Sequence, residues 1–222
     1  MALILHISTA GSTAFVSLAT DGKVLEQISN DNRNDHAAFL QPAISQLVKN
    51  QQLDWQNLDA IAVSNGPGSY TGLRVGLSSA KGLCYALQKP LITVSTLQVM
   101  ALACYNALKD DSALYIPMID ARRMEVFTAT YEAGGKELVP AHALILDANS
   151  FVGAAATKKL VFCGDGAEKF STVFKEPDAV FFNDYDMVQS FAALAFQNFN
   201  STNFASLAYA EPLYVKEFYT GK

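Results

Sequence analysis

Ser69 lies in the run Ser64-Asn65-Gly66-Pro67-Gly68-Ser69-Tyr70-Thr71-Gly72-Leu73-Arg74-Val75-Gly76, where an apolar strand enters a Gly/Pro loop and a helix leaves it. That order aims backbone N–H groups at an anion. The common phosphate patterns are nevertheless absent. GxxxxGK[ST] fails because Leu73 follows Gly72 where lysine is required, and GxGxxG misses by one residue. GxSxG is missing too, so Ser69 reads as a loop or helix cap before it reads as a nucleophile. His6, His36 and His142 are too far apart for an HxxxH or HExxH metal pair, and Cys84, Cys104 and Cys163 form no CxxC. The cysteines read as small buried apolar residues, and His6, inside an apolar strand, as core. Among the acids, Asp110-Asp111 read as a solvated linker and Asp184 with Asp186 as the lead into a helix. Asp120, at the head of Asp120-Ala121-Arg122-Arg123, ends a strand where it could face a cleft between lobes. Neither a catalytic residue nor a metal site is expected.

The helix after the loop repeats small residues every four positions, at Gly72, Gly76, Ala80 and Cys84. Each helical glycine costs about 1 kcal/mol against alanine, so the stripe needs a close approach by another backbone to offset it. Two readings stand at even odds: packing on the chain's own sheet, or a surface for a partner helix. Leu73, Leu77 and Leu87 can face the sheet, which favours an outward stripe.

The elements that hold these residues follow from periodicity. Strands are predicted at Leu3–Thr9, Ala14–Thr20 and Lys23–Ser29, the last two joined by an Asp21-Gly22 turn. A helix is predicted over Asp35–Gln51, interrupted by Pro42, then strand Ala60–Ser64, helix Tyr70–Leu87, strand Leu91–Val94 and helix Leu97–Leu108 capped by Thr96. The second half repeats the order. Strands are predicted at Leu114–Ile119, Met124–Tyr131 and Glu137–Leu144, and a helix at Ala148–Ala156 after the cap Asp147. Strand Leu160–Cys163, helix Gly166–Phe174, strand Ala179–Phe182 and helix Met187–Phe199 complete it. The predicted fold is α/β with two similar lobes, each βββαβαβα. The lobes are assigned to 1–108 and 109–222, with the tail free to pack back on the first.

Of the 222 residues, 50% are hydrophobic and 17% charged, which suffices for a sizeable core. The net charge is −5, and Lys plus Arg balance Asp plus Glu up to residue 97, leaving the excess of acid in the second half. Such a surface is a poor match for a phosphate backbone. The uncharged stretches Pro90–Leu108 and Met187–Ala210 are too polar for a bilayer, and Met1 runs into a strand without a leader. A soluble, cytoplasmic protein is expected.

Taken together, the duplicated order resembles the actin, sugar kinase and heat-shock chaperone superfamily, an actin-like ATPase (ribonuclease H-like) fold. Within it, Gly66-Pro67-Gly68-Ser69-Tyr70-Thr71-Gly72-Leu73-Arg74-Val75-Gly76 resembles the GPGSFTGLRVG stretch of the TsaB (YeaZ) family. Val94-Ser95-Thr96-Leu97, Ile119-Asp120-Ala121-Arg122 and Ala210-Glu211-Pro212-Leu213-Tyr214 match as well. The resemblance fades over 133–205. It implies a non-catalytic assembly subunit for tRNA N6-threonylcarbamoyladenosine (t6A) that supports a TsaD-like transferase, with a TsaE-like ATPase joining. It also implies a homodimer in isolation, and tRNA reached only through the complex. Phe39, Thr71, Gly72, Val75, Gly76 and Ser79 are then the partner-binding residues. ATP or ADP at the complex interface would touch Gly66, Gly68, Ser69, Asp120, Gly164 and Gly166. The alternative is a glycoprotease-like metallopeptidase or hydrolase. Against it, superfamily members that act on ATP place an acid in the first hairpin, and this chain has Ser8 there.

Overall fold

The computed structural model describes residues 1–32 and 35–216. Among these residues, ten strands and six α-helices follow in the order βββαβαβα, twice. In the first half these are β1 (Leu3–Ser8), β2 (Ala14–Thr20), β3 (Lys23–Asn30), α1 (His36–Asn50), β4 (Ala60–Gly66), α2 (Tyr70–Leu87), β5 (Leu91–Ser95) and α3 (Thr96–Leu108). The second half holds β6 (Leu114–Asp120), β7 (Glu125–Tyr131), β8 (Glu137–Ile145), α4 (Val152–Ala155), β9 (Leu160–Cys163), α5 (Asp165–Ser171), β10 (Ala179–Phe181) and α6 (Met187–Asn200).

Each half builds one five-stranded mixed sheet, in the orders β3-β2-β1-β4-β5 and β10-β9-β6-β7-β8. The two orders are the same topology read from opposite edges. In each, an antiparallel meander of three strands is extended by two parallel strands. The meander follows from turn chemistry. Asp21 and Gly22 both adopt positive φ, 49° and 76°, as a two-residue hairpin turn requires.

Alternation along β1 places the two faces of the first sheet. Leu5 and Ile7 join Leu40, Ile44 and Leu47 of α1 and Leu77 and Ala80 of α2 in one core. His6 points to the opposite face, where Phe191 of α6 meets its ring edge-on at 5.4 Å and meets Phe15 at 5.9 Å. In the second sheet, Leu97, Met100, Ala101 and Cys104 of α3 cover Tyr115, Tyr131 and Val161. The other face is an aromatic core of Phe162, Phe170, Phe174 and Phe181.

The compact units therefore differ from a division at 108. Met1–Thr96 packs with Val188–Leu213, while Leu97–Met187 forms the second unit with the described residues from Tyr214. The two terminal helices, α3 and α6, each cover the sheet of the other half of the chain. Two local expectations also change. The helix expected over Ala148–Ala156 shrinks to the single turn of α4, because the Asp147 carboxylate accepts from the amides of Asn149 and Ser150 and closes a turn instead. Thr96 is the first residue of α3 rather than its cap, and its hydroxyl is buried without a partner. Pro42 stays inside α1, on its exposed side.

Candidate partner-binding face and the closed glycine loop

Helix α2 starts on Ser69, whose hydroxyl accepts from the Gly72 amide at 3.2 Å. The cap expected of Ser69 is in place, and that side chain is committed to the helix. Gly72, Leu73, Gly76, Leu77, Ala80 and Cys84 form the buried side of the helix. At 3.6 residues per turn these six positions span one arc of about 140°. The reading of Gly72 and Gly76 as an outward, partner-binding stripe is corrected on this point. A β-carbon on Gly72 would lie 2.0 Å from the Thr9 carbonyl, and one on Gly76 would lie 2.4 Å from the Thr9 hydroxyl. The glycines admit the chain's own β1–β2 turn, so the close approach is intramolecular.

Among the expected partner residues, Thr71 is exposed, and Phe39, Val75 and Ser79 are half-buried. Gln41 of α1 donates to the Ser79 hydroxyl at 2.9 Å and ties the two helices together. Beside that bond lies a groove of 410 Å3 lined by Gln41, Ser78, Ser79, Gly82 and Leu83. Gly82 has open space where a β-carbon would stand. Arg74, exposed on the first turns, stacks over the Tyr70 ring at 4.0 Å. This face is short-chained and carries no acid, histidine or cysteine.

The glycine loop itself is closed. Ser69 N–H donates to the Ala10 carbonyl at 2.8 Å, and a β-carbon on Gly68 would lie 2.4 Å from that same oxygen. On the far side, Leu213 N–H donates to the Asn65 carbonyl at 2.6 Å, and the Leu213 carbonyl lies 2.8 Å from the β-carbon position of Gly66. The expected acid position is filled by a hydroxyl pair: Ser8 is buried and accepts from Ser64 at 2.9 Å. A phosphate cradle needs free amides and, with a metal, a carboxylate. The Ser69 amide and the Gly72 amide are already spent, so these two donors are not open to an anion.

The second unit repeats the closure by other means. Asp120 accepts from the Arg122 amide at 2.9 Å and from the Lys169 ammonium. Its own amide donates to the Asp165 carboxylate at 2.9 Å, and Gly164 N–H donates to the Asn183 side chain at 2.7 Å. A β-carbon on Gly164 would run into the Met118 carbonyl, and one on Gly166 would lie 2.7 Å from Val126 and 3.1 Å from Met118. Their glycine character serves packing on β6 and β7. Lys169 also donates to the Arg123 and Glu125 carbonyls, at 2.8 and 2.6 Å, which fixes the β6–β7 turn where Arg122 and Arg123 take φ of 73° and 51°. Sequence patterns missed Lys169, because a lysine 49 residues from its carboxylate gives no local signal. Among the described residues, no three His, Cys, Asp or Glu side chains converge as a metal would require.

Residues 23–216 match the family model of TsaD, described as tRNA N6-adenosine threonylcarbamoyltransferase. The chain belongs to this family. Its likeness within the family is to the TsaB (YeaZ) proteins. The Bacillus subtilis protein named tRNA threonylcarbamoyladenosine biosynthesis protein TsaB is 34% identical over 129 residues, 58% of this chain and 55% of the relative. The Escherichia coli protein of the same name is 33% identical, over 58% and 54%. The aligned part thus spans about half the length of these curated relatives. Two Pseudomonas aeruginosa structures share the fold. One, described as similar to peptidase YEAZ, covers 97% of this chain and 100% of its own with a TM-score of 0.85 at 24% identity. The other, YeaZ, covers 96% and 100% with a TM-score of 0.80, also at 24% identity. A more distant likeness in fold, with a TM-score of 0.50 at 8% identity, is to the activator of the 2-hydroxyisocaproyl-CoA dehydratase from Clostridium difficile. No helix among the described residues is long and apolar enough to cross a membrane.

Proposed function

We propose that this chain is a catalytically silent assembly subunit in the formation of N6-threonylcarbamoyladenosine on tRNA, binding and supporting a TsaD-like transferase. The observation that carries the reading is the buried Ser8–Ser64 hydroxyl pair, which stands where a nucleotide-hydrolysing relative needs a metal-holding acid. The names of the matched relatives supply the pathway, and the short-chained face of α1 and α2 supplies a docking surface through Phe39, Thr71, Val75 and Ser79. A TsaE-like ATPase completes the assembly, and tRNA is reached through the complex, in keeping with the net charge of −5. ATP or ADP belongs to the assembled interface, and the isolated chain is a cytoplasmic homodimer.

The test is to run the protein with the TsaD-like transferase of its own organism on a sizing column, then assay t6A on tRNA by nucleoside mass spectrometry. Co-elution and a t6A yield that depends on both proteins are expected. The chain alone should turn over neither ATP nor peptide. Turnover by a purified sample, lost on Asp120→Ala, would defeat the silent-subunit reading and favour a hydrolase.

A further inference from the structure

The segment after α6 crosses the first unit on three attachments. Ala205 N–H donates to the Leu91 carbonyl at 2.8 Å and forms a single antiparallel bridge with the edge strand β5. The Lys81 ammonium donates to the Ala208 and Ala210 carbonyls at 3.3 and 3.1 Å. Leu213 N–H then reaches the Asn65 carbonyl. Between these points Ser206, Ala208, Tyr209 and Glu211 are exposed, and Ala205, Leu207 and Ala210 contribute partly buried apolar packing. A stretch with so little buried surface opens locally at lower cost than the sheet beneath it.

Two groups under this strap pull in opposite directions. Lys81 holds it shut with two charge-assisted hydrogen bonds in mid-span. Asn65, under its far end, has its side-chain carbonyl buried with no hydrogen-bond partner, an acceptor that water would satisfy on opening. We propose that residues 205–213 are a lid over the β4–α2 loop, latched by Lys81 and primed to open by Asn65. Opening uncovers Asn65 and Gly66 and leaves α2 and the sheet intact. This device is independent of the partner reading.

Hydrogen exchange followed by mass spectrometry tests it, with peptides covering 205–213 compared against peptides from β1 and β4. Lys81→Met should speed exchange of the lid by about 10-fold or more, the scale of one or two charged hydrogen bonds, and leave β1 and β4 unchanged. Lys81→Arg, which keeps the charge and the donors, should restore most of the protection. Asn65→Ala should slow exchange of the lid, because the orphaned acceptor is gone while the main-chain oxygen remains. Unchanged lid exchange in folded Lys81→Met would overturn the latch. An equal rise in every peptide, or failure of that variant to fold, would also overturn it by making Lys81 part of the global core. Faster lid exchange in Asn65→Ala would remove the priming role.

Discussion

The hydroxyl of Thr9 donates to the carbonyl of Gly72 at 2.6 Å, and the carbonyl of Thr9 occupies the place where a Gly72 β-carbon would stand. The β1–β2 turn and the start of α2 are thereby joined as closely as two backbones can be. The residue pattern that most resembles an anion loop is, in this chain, a packing device.

Gly76→Leu should therefore destabilise the fold itself. Its side chain would enter the space of the Thr9 hydroxyl, Ile7 and Val63. Overpacking costs about 1–3 kcal/mol, which lowers the melting temperature by roughly 2–12 °C in a protein of this size. A thermal melt that matches the parent would show that the helix can move away from β1.

On the exposed side, the opposite pattern is expected. Thr71→Arg places a long cation on the proposed docking face without touching the buried arc. Binding to the TsaD-like partner should weaken by about 5- to 150-fold, equivalent to roughly 1–3 kcal/mol. The melting temperature should move by less than about 2 °C. Calorimetric titration of the partner checks the first value and a melt the second.

His6 makes stability depend on pH. Burial lowers its pKa from 6.5 to about 3, with the Ser17 hydroxyl 3.1 Å from its ring nitrogen. The folded protein keeps the ring neutral while the unfolded chain protonates below 6.5, so the unfolded state binds the extra proton. Stability from this site is complete above pH 6.5. Below that it falls by up to about 1.4 kcal/mol per pH unit until the folded pKa near 3 is reached. Urea denaturation at pH 7, 5.5 and 4.5 measures the slope, and His6→Leu should flatten it.

The thiols of Cys84, Cys104 and Cys163 are all buried. Burial pushes the Cys84 thiol up to about 12 and raises Cys163 strongly, so thiolate is scarce at neutral pH. An aromatic disulfide reagent at pH 8 should label none of them quickly in the native protein and all three in denaturant. Rapid labelling without denaturant would reveal an opening that the packing does not suggest.

The alternation of the strands, the Asp21-Gly22 turn and the duplicated βββαβαβα order were readable because each is a local pattern with one structural meaning. The facing of α2 was not. Gly72 and Leu73, or Gly76 and Leu77, are adjacent in sequence and fall within the same buried arc, so a leucine stripe toward the sheet does not free a glycine stripe for solvent. Nor does periodicity say which sheet an apolar helix covers. The allotment of α3 and α6 depends on contacts such as His6 with Phe191, across nearly the whole chain. The closure of the glycine loop was hidden for the same reason, since Ala10 and Leu213 reach it from opposite ends of the sequence.

That last helix has a consequence for how the chain is made. Synthesis delivers Met1–Thr96 first, but Phe191, which packs on His6 and Phe15 of its sheet, belongs to the stretch Val188–Leu213. The whole of the second unit's continuous stretch, Leu97–Met187, must leave the ribosome in between. At about 5–20 residues per second, that keeps one apolar sheet face waiting for several seconds. The segment that is translated second can thus be the first to complete its core, while the older half of the chain waits for its last helix.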